Sequence, residues 1–145
     1  RPLTFVLTGV IDEEADLSFL GRLREPARVV LRDIRRISSF GVRAWIEAIA
    51  EIPPELSLEF VDCPPPLVDQ CRLIHRFLGH GRLTSFGLPY LCEKCGHEED
   101  RFLPVEVWRG ADRVLPSSPC PECAGSMAPD HVGTLVREFL DKVCA

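Results

Sequence analysis

The chain has 145 residues, of which 46% are apolar, and a formal net charge of −5. This length suffices for one ordinary domain or for a small domain with a metal-stapled appendage, and no apolar run approaches the roughly 20 residues of a membrane-inserted helix. Most of the negative charge lies in residues 91–145, which hold 6 basic and 10 acidic residues, so we expect no nucleic-acid partner for this part of the chain.

Residues 1–90 alternate strand-like and helix-like segments. Apolar or alternating runs predict strands at 3–8, 28–34, 56–60 and 82–88. Apolar residues at helical spacing predict a short helix around 17–23, a second opened by Ser38 and Ser39, and a third over 67–78 with Gly79 as its C′ residue. The continuous apolar centre of the second strand suggests burial on both of its faces. This order predicts an α/β domain over residues 1–90, with helices packed on its sheet.

Residues 91–145 follow a different pattern. An apolar run over 102–108 predicts a strand, and Pro104 inside it suits the edge of a sheet. Apolar residues between Val132 and Val143 recur at helical spacing and predict a C-terminal helix. A segment this small cannot bury that stripe by itself, so we expect the helix to pack on the rest of the chain or on a second copy in a homo-oligomer.

Four cysteines in two C-x2-C pairs dominate this second segment: Cys92 with Cys95, and Cys120 with Cys123. A tight turn lets both thiolates of each pair point at one ion, and four sulfurs complete the tetrahedral shell that structural Zn²⁺ prefers. The pattern therefore predicts a zinc-ribbon domain over residues 91–145. Four thiolates also suit iron, so a rubredoxin-like electron carrier is the alternative.

Three stretches of residues 1–90 carry a resemblance to a known family: Gly9-Val-Ile-Asp12 after the first strand, the segment from Val29 to Val42, and the later strand–helix unit. Together they resemble a STAS domain, the module of anti-sigma-factor antagonists in bacterial signalling and of the cytoplasmic tails of sulfate transporters. The resemblance implies a sheet with helices packed on it and a protein partner that docks near the start of the second helix.

The same resemblance bears on phosphorylation. In phosphorylatable STAS domains, the residue before the glycine of the Asp-Ser-Ser/Thr-Gly turn accepts a phosphate from an anti-sigma kinase. Anchoring on Gly41 places Phe40 at that position, with Ser39 and Ser38 before it. A phenyl ring cannot accept a phosphate, so the resemblance implies docking at Ser38, Ser39, Phe40 and Gly41 without the usual switch.

No catalytic constellation accompanies these features. The four histidines, His75, His80, His97 and His131, form no metalloenzyme spacing, and Ser39 lacks a nucleophile-elbow context. A small anion at the helix start is a further alternative, but two capping serines explain the same residues more simply. Scattered cysteines and the lack of a recognisable signal peptide favour a reducing cytoplasm. We therefore expect a non-enzymatic, cytoplasmic protein-interaction module with a structural zinc site.

Overall fold

The first of two sheets consists of four parallel strands. The computed structural model describes residues 2–109 and 113–144. The strands are β1 (Leu3–Ile11), β2 (Ala27–Ile37), β3 (Leu58–Val61) and β4 (Arg82–Leu83), in the spatial order β1-β2-β3-β4. Every neighbouring pair is parallel. Because the strands follow one another in chain order, right-handed crossovers bring their helices to a single face of the sheet.

Three helices connect these strands: α1 (Ser18–Gly21), α2 (Ser39–Ala50) and α3 (Pro65–Leu73). The core between them and the sheet centres on Trp45 of α2, which is fully buried. Its ring stacks on Phe77 at 5.8 Å and lies 5.9 Å from the ring of Phe60 on β3. The indole Nε1 donates to the carbonyl of Phe77 at 2.9 Å, so this buried polar atom is satisfied. The predicted α/β architecture is confirmed.

Strand β2 is buried on one face only, so the predicted burial on both faces is wrong. Val29 and Leu31 are buried, whereas Arg28 and Arg32 on the opposite face are exposed. Those arginines pair with acidic side chains of the neighbouring strand and its end. The physical reason is the one-sided arrangement of the helices, which leaves the other face of the sheet to polar side chains.

The third predicted helix is shorter than the apolar spacing suggested. Helix α3 ends at Leu73, because Ile74 adopts extended backbone angles and Arg76 has a left-handed φ of 58°. Gly79, predicted as the C′ residue, instead belongs to the turns that follow, where its φ is 62°. Phe77 and Leu78 remain buried although they are not helical, so burial alone produced the helix-like pattern.

The second sheet is antiparallel and contains β5 (Ser85–Cys92), β6 (Glu98–Pro104), β7 (Ser118–Pro119) and β8 (Ser126–Pro129), in the order β6-β5-β8-β7. Strand β6 lies at an edge, as Pro104 predicted. The strand ends at that proline, however, and Val105–Trp108 is a 3₁₀ helix. Val105 and Trp108 are its buried residues, which matches the three-residue repeat of this helix type.

The two sheets are joined directly. The predicted strand at 82–88 divides at Thr84 into β4 of the first sheet and β5 of the second. Cys63, which follows β3, forms a parallel bridge to Phe86. The N–H of Cys63 donates to the carbonyl of Ser85 at 3.1 Å, and the carbonyl of Cys63 accepts from the N–H of Gly87 at 2.7 Å. The predicted domain boundary at residue 90 therefore falls inside β5.

The C-terminal helix, α4 (Thr134–Val143), is present as predicted. Phe139 and Leu140 are buried, and the helix packs against α3 and the 3₁₀ helix. Trp108 Nε1 donates to the carboxylate of Asp141 at 2.8 Å, which fixes α4 to the 3₁₀ helix that follows β6. The centre of the apolar stripe is thus buried within the chain, whereas Leu135 near its start is exposed. Among the described residues, no helix is both long and apolar enough to cross a membrane.

Candidate metal centre

The second sheet brings all four predicted ligands to one end. Cys92 is the last residue of β5, and Cys95 lies in the turn that leads to β6. Cys120 directly follows β7, and Cys123 lies in the turn before β8. Since β5 pairs with β8, with Cys92 opposite Met127, the two turns meet at the same end of the sheet.

The sulfur atoms have the spacing of a tetrahedral metal site. All four Sγ atoms lie within 4.8 Å of one another. The closest pairs join the two turns: Cys92 to Cys123 at 3.5 Å, and Cys95 to Cys120 at 3.7 Å. Metal–sulfur bonds of about 2.3 Å at tetrahedral angles place sulfurs about 3.8 Å apart. The cluster is therefore positioned to bind a metal ion.

Both turns have the same backbone construction. In the first, Gly96 donates to the carbonyl of Cys92 at 2.8 Å, and its φ is 81°. In the second, Ala124 takes the equivalent position after the second cysteine, with a φ of 62°. A left-handed residue reverses the chain immediately after each pair, and glycine tolerates this conformation better than alanine. The local sequence thus bends the chain so that both thiols of a pair point to the same side.

Backbone groups approach the sulfurs closely in the second turn. Glu122 N–H donates to Cys120 Sγ at 3.4 Å, and Gly125 N–H donates to Cys123 Sγ at 3.3 Å. A Cβ on Gly125 would lie 3.1 Å from Cys123 Sγ and 3.2 Å from Cys92 Sγ, closer than most side chains approach a sulfur. Such N–H groups can stabilise the negative charge that a metal-bound sulfur carries.

The thiols strongly influence one another's ionisation. The backbone N–H of Cys95 lowers the pKa of Cys92 to about 7, in spite of burial. For Cys95, the N–H of His97 acts to lower the pKa, but the Cys123 and Cys120 thiols together with burial raise it to about 12. Crowded thiolates repel one another, and a cation bound among the sulfurs would relieve this repulsion.

His97 is the histidine nearest to the cluster in sequence, and another side chain holds it. Its Nε2 lies 2.7 Å from Glu99 Oε1, and the other oxygen of Glu99 pairs with Arg101 at 3.0 Å. His80 Nε2 bonds to the carbonyl of Leu56 at 2.8 Å. Among the described residues, the only group of histidine, cysteine or acidic ligands placed to hold an ion is the four cysteines.

The four predicted docking residues lie together at the start of α2, on the first sheet. Ser38 Oγ accepts a hydrogen bond from the N–H of Gly41 at 3.0 Å, and Gly41 is buried against the carbonyl of Ile11. Ser39 is exposed, and 66% of Phe40 is accessible to solvent. Phe40 is therefore a surface residue, and it makes no contribution to the core around Trp45.

A further cluster, at the junction of the sheets, was missed by sequence reasoning. Asp62 has a left-handed φ of 55°, accepts from Ser85 Oγ at 2.7 Å, and pairs with Arg32 Nε at 3.2 Å. The guanidinium of Arg32 also lies 4.4 Å from the centre of the Phe102 ring on β6. These partners are far apart in sequence, so no local pattern could reveal them.

Comparisons with protein-family models, with curated proteins and with solved structures find no match to this chain.

Proposed function

We propose that this chain is a non-enzymatic regulatory module that docks a protein partner through the start of helix α2. The observation that carries the proposal is Phe40, a large aromatic side chain that is 66% exposed at the second residue of the helix. An aromatic ring exposed on a rigid element costs solubility unless a partner covers it, and aromatic residues are frequent anchors of interfaces.

The resemblance of residues 1–90 to STAS domains supports the regulatory part of this proposal. A serine-capped helix directly follows the second strand, and Phe40 takes the place of the phosphate acceptor. Without a hydroxyl at that position, docking is constitutive rather than controlled by an anti-sigma kinase. The module has no catalytic role in this reading: His75 and His80 line one pocket whose other lining residues include no nucleophile or carboxylate, and His97 is held by Glu99.

We assign the four cysteines to structural Zn²⁺. Four sulfurs complete the tetrahedral shell and leave no open position for water or substrate, as in structural zinc sites. The thiolate ligands and the short strands around them also suit a metal that supplies folding energy. The ion would hold the β5–β6 turn against the β7–β8 turn, since each of the closest sulfur pairs joins the two.

A rubredoxin-like iron site remains the second candidate, on one observation. The N–H···Sγ hydrogen bonds to Cys120 and Cys123 are of the type that tunes the reduction potential of iron–thiolate sites. An oxidised iron–thiolate centre absorbs visible light and is red, whereas the zinc protein is colourless. A visible absorption spectrum of freshly purified protein therefore distinguishes the two candidates.

The docking proposal is tested by Phe40→Ser, with Leu73→Ser as the matched control. Leu73 is 65% exposed at the end of α3, so both substitutions remove a similarly exposed apolar side chain. Cross-linking affinity capture from native-host extract, quantified by mass spectrometry, identifies the dominant partner. Phe40→Ser should abolish its capture, because the loss of an interface anchor weakens the binding free energy by about 2 kcal/mol or more. Leu73→Ser should retain it.

Thermal unfolding of the same variants separates docking from folding. Both variants should keep the wild-type melting temperature, because exposed side chains contribute little to stability. If Phe40→Ser lowers the melting temperature by several degrees and still captures the partner, Phe40 stabilises the fold and the docking proposal is wrong.

A further inference from the structure

Two arginines lie beside the proposed anchor. Arg35 and Arg36 are exposed near the end of β2, where Arg36 is paired with Val10 of β1. Together with Val10, they line a shallow depression of about 190 Å³. Three residues separate Arg36 from Phe40, so their Cα atoms lie within about 14 Å. We call Val10, Arg35, Arg36 and Phe40 the arginine–phenylalanine patch.

Neither of these two arginines has a carboxylate partner within the part of the chain that the structure describes. Several other arginines around the first sheet pair with carboxylates: Arg28 and Arg82 with Glu59, Arg32 with Asp62, and Arg43 with Glu47. Over residues 2–109 and 113–144, neither Arg35 nor Arg36 forms an ion pair. Two exposed arginines without a carboxylate partner thus lie close in sequence to an exposed aromatic residue.

Acidic side chains also lie near the patch. Asp12, Glu13 and Glu14 follow β1, which ends beside β2 at Ile11. The carboxylate of Asp12 accepts a hydrogen bond from the N–H of Glu14 at 3.0 Å, so it serves its own turn. Asp33, two residues before Arg35 on β2, is also exposed. None of these carboxylates forms an ion pair with Arg35 or Arg36, so both guanidinium groups remain available to a partner.

We propose that the arginine–phenylalanine patch binds an acidic segment of a protein partner. Carboxylates of that segment would pair with Arg35 and Arg36, because the planar guanidinium fork matches a carboxylate in two parallel hydrogen bonds. An apolar side chain of the same segment would pack on Phe40. This inference rests on the proposed docking function and adds the chemistry of the partner.

A protein segment fits these observations better than a nucleic acid. Nucleic-acid surfaces present many phosphates and require a broad positive field, whereas this chain is acidic and the patch contains only two arginines. The exposed phenyl ring adds an apolar contact that short acidic peptides with one large apolar residue can meet. Charge complementarity of this kind governs partner choice and association rate.

The test is selection of a random short-peptide display library on the intact chain, followed by fluorescence polarisation with the recovered peptides. The peptides should be rich in Asp and Glu around an apolar residue. The double variant R35E/R36E should weaken their binding by about tenfold or more. The control is R22E/K142E, which changes the net charge equally at exposed residues outside the patch. It should bind as the wild type does.

Three outcomes would overturn the inference: neutral or basic peptides, no peptides, or acidic peptides that bind R35E/R36E normally. Binding of a single-stranded RNA oligonucleotide at Arg35 and Arg36 in place of the acidic peptides would overturn it as well. The Phe40→Ser arm separates the two proposals. Binding that needs Phe40 but not the arginines overturns only the acidic partner, whereas binding that needs only the arginines contradicts the Phe40 anchor.

Discussion

Ser38 and Ser39 are adjacent, yet only one hydroxyl lies where helix α2 needs an acceptor. Ser38 has the extended backbone of an N-cap residue, with φ −83° and ψ 169°, and its Oγ accepts from Gly41 N–H. Ser39 is already the first helical residue and is exposed. The sequence predicts that a serine caps this helix, but which of the two serines does so depends on the backbone angles of Ser38. Periodicity cannot supply those angles.

These two serines form a matched pair for mutation. Ser38→Ala should lower the free energy of unfolding by about 1 kcal/mol, because the N–H of Gly41 loses its acceptor. Ser39→Ala removes the same hydroxyl one residue later and should change it by less than about 0.5 kcal/mol. Urea unfolding followed by circular dichroism measures both. Equal effects would show that the capping assignment is wrong.

At the scale of elements, helix α4 packs its apolar stripe against elements that belong to each of the two sheets. Phe139 and Leu140 are buried, and Arg137 lies 5.5 Å from the centre of the Trp108 ring. The helix contacts α3 as well as the 3₁₀ helix, so it covers the junction of the two sheets. Leu135, near the start of the same helix, is 43% exposed and contributes less to this packing.

The difference between these positions is testable on one helix. Phe139→Ala should lower the free energy of unfolding by about 3–5 kcal/mol, because it leaves a cavity among buried residues. Leu135→Ala should cost well under half of that. Chemical denaturation of the two variants measures the difference. Similar losses, or a concentration-dependent loss only for Leu135→Ala, would instead indicate that the exposed side of α4 is buried against another copy.

Local signals predicted some of these elements, and long-range contacts decided the others. The cysteine spacing and the stripe of α4 are local signals, and the four cysteines do lie together and the helix is present. The division at Thr84 was not predicted, because it depends on Cys63 pairing with Phe86, 23 residues later. The end of β6 at Pro104 was missed for a similar reason: Val105 N–H bonds to the carbonyl of Thr84. The apolar run itself continues past that point.

At the scale of the whole molecule, strand β5 connects the two sheets. Ser85 at its start bonds to Asp62 at the end of β3, and Cys92 at its end belongs to the sulfur cluster. The buried core runs continuously from Trp45 and Phe60 to Cys92 and Cys120 of the sulfur cluster. Because the four sulfurs lie at one end of the second sheet, we expect the metal to hold that end, while apolar packing around Trp45 holds the first sheet.

Cys120→Ser tests this division. The variant should lose amide protection in the two cysteine turns and in β7 and β8, because their short strands depend on the metal. Amides of β1, β2 and α2 should keep their protection. Hydrogen exchange read by mass spectrometry resolves these segments, and Cys71→Ser, outside the cluster, is the control. Unchanged exchange in the turns would contradict a structural role for the site, and uniform loss would contradict an independent first core.

The central claim, a closed four-sulfur site for structural zinc, is tested most directly by X-ray absorption spectroscopy on protein purified without added metal. Elemental analysis of the same sample should give one zinc per chain. The spectrum at the zinc edge should show four sulfur ligands at about 2.3 Å and no nitrogen or oxygen ligand. Iron in place of zinc, fewer than four sulfurs, or no bound metal would contradict the account.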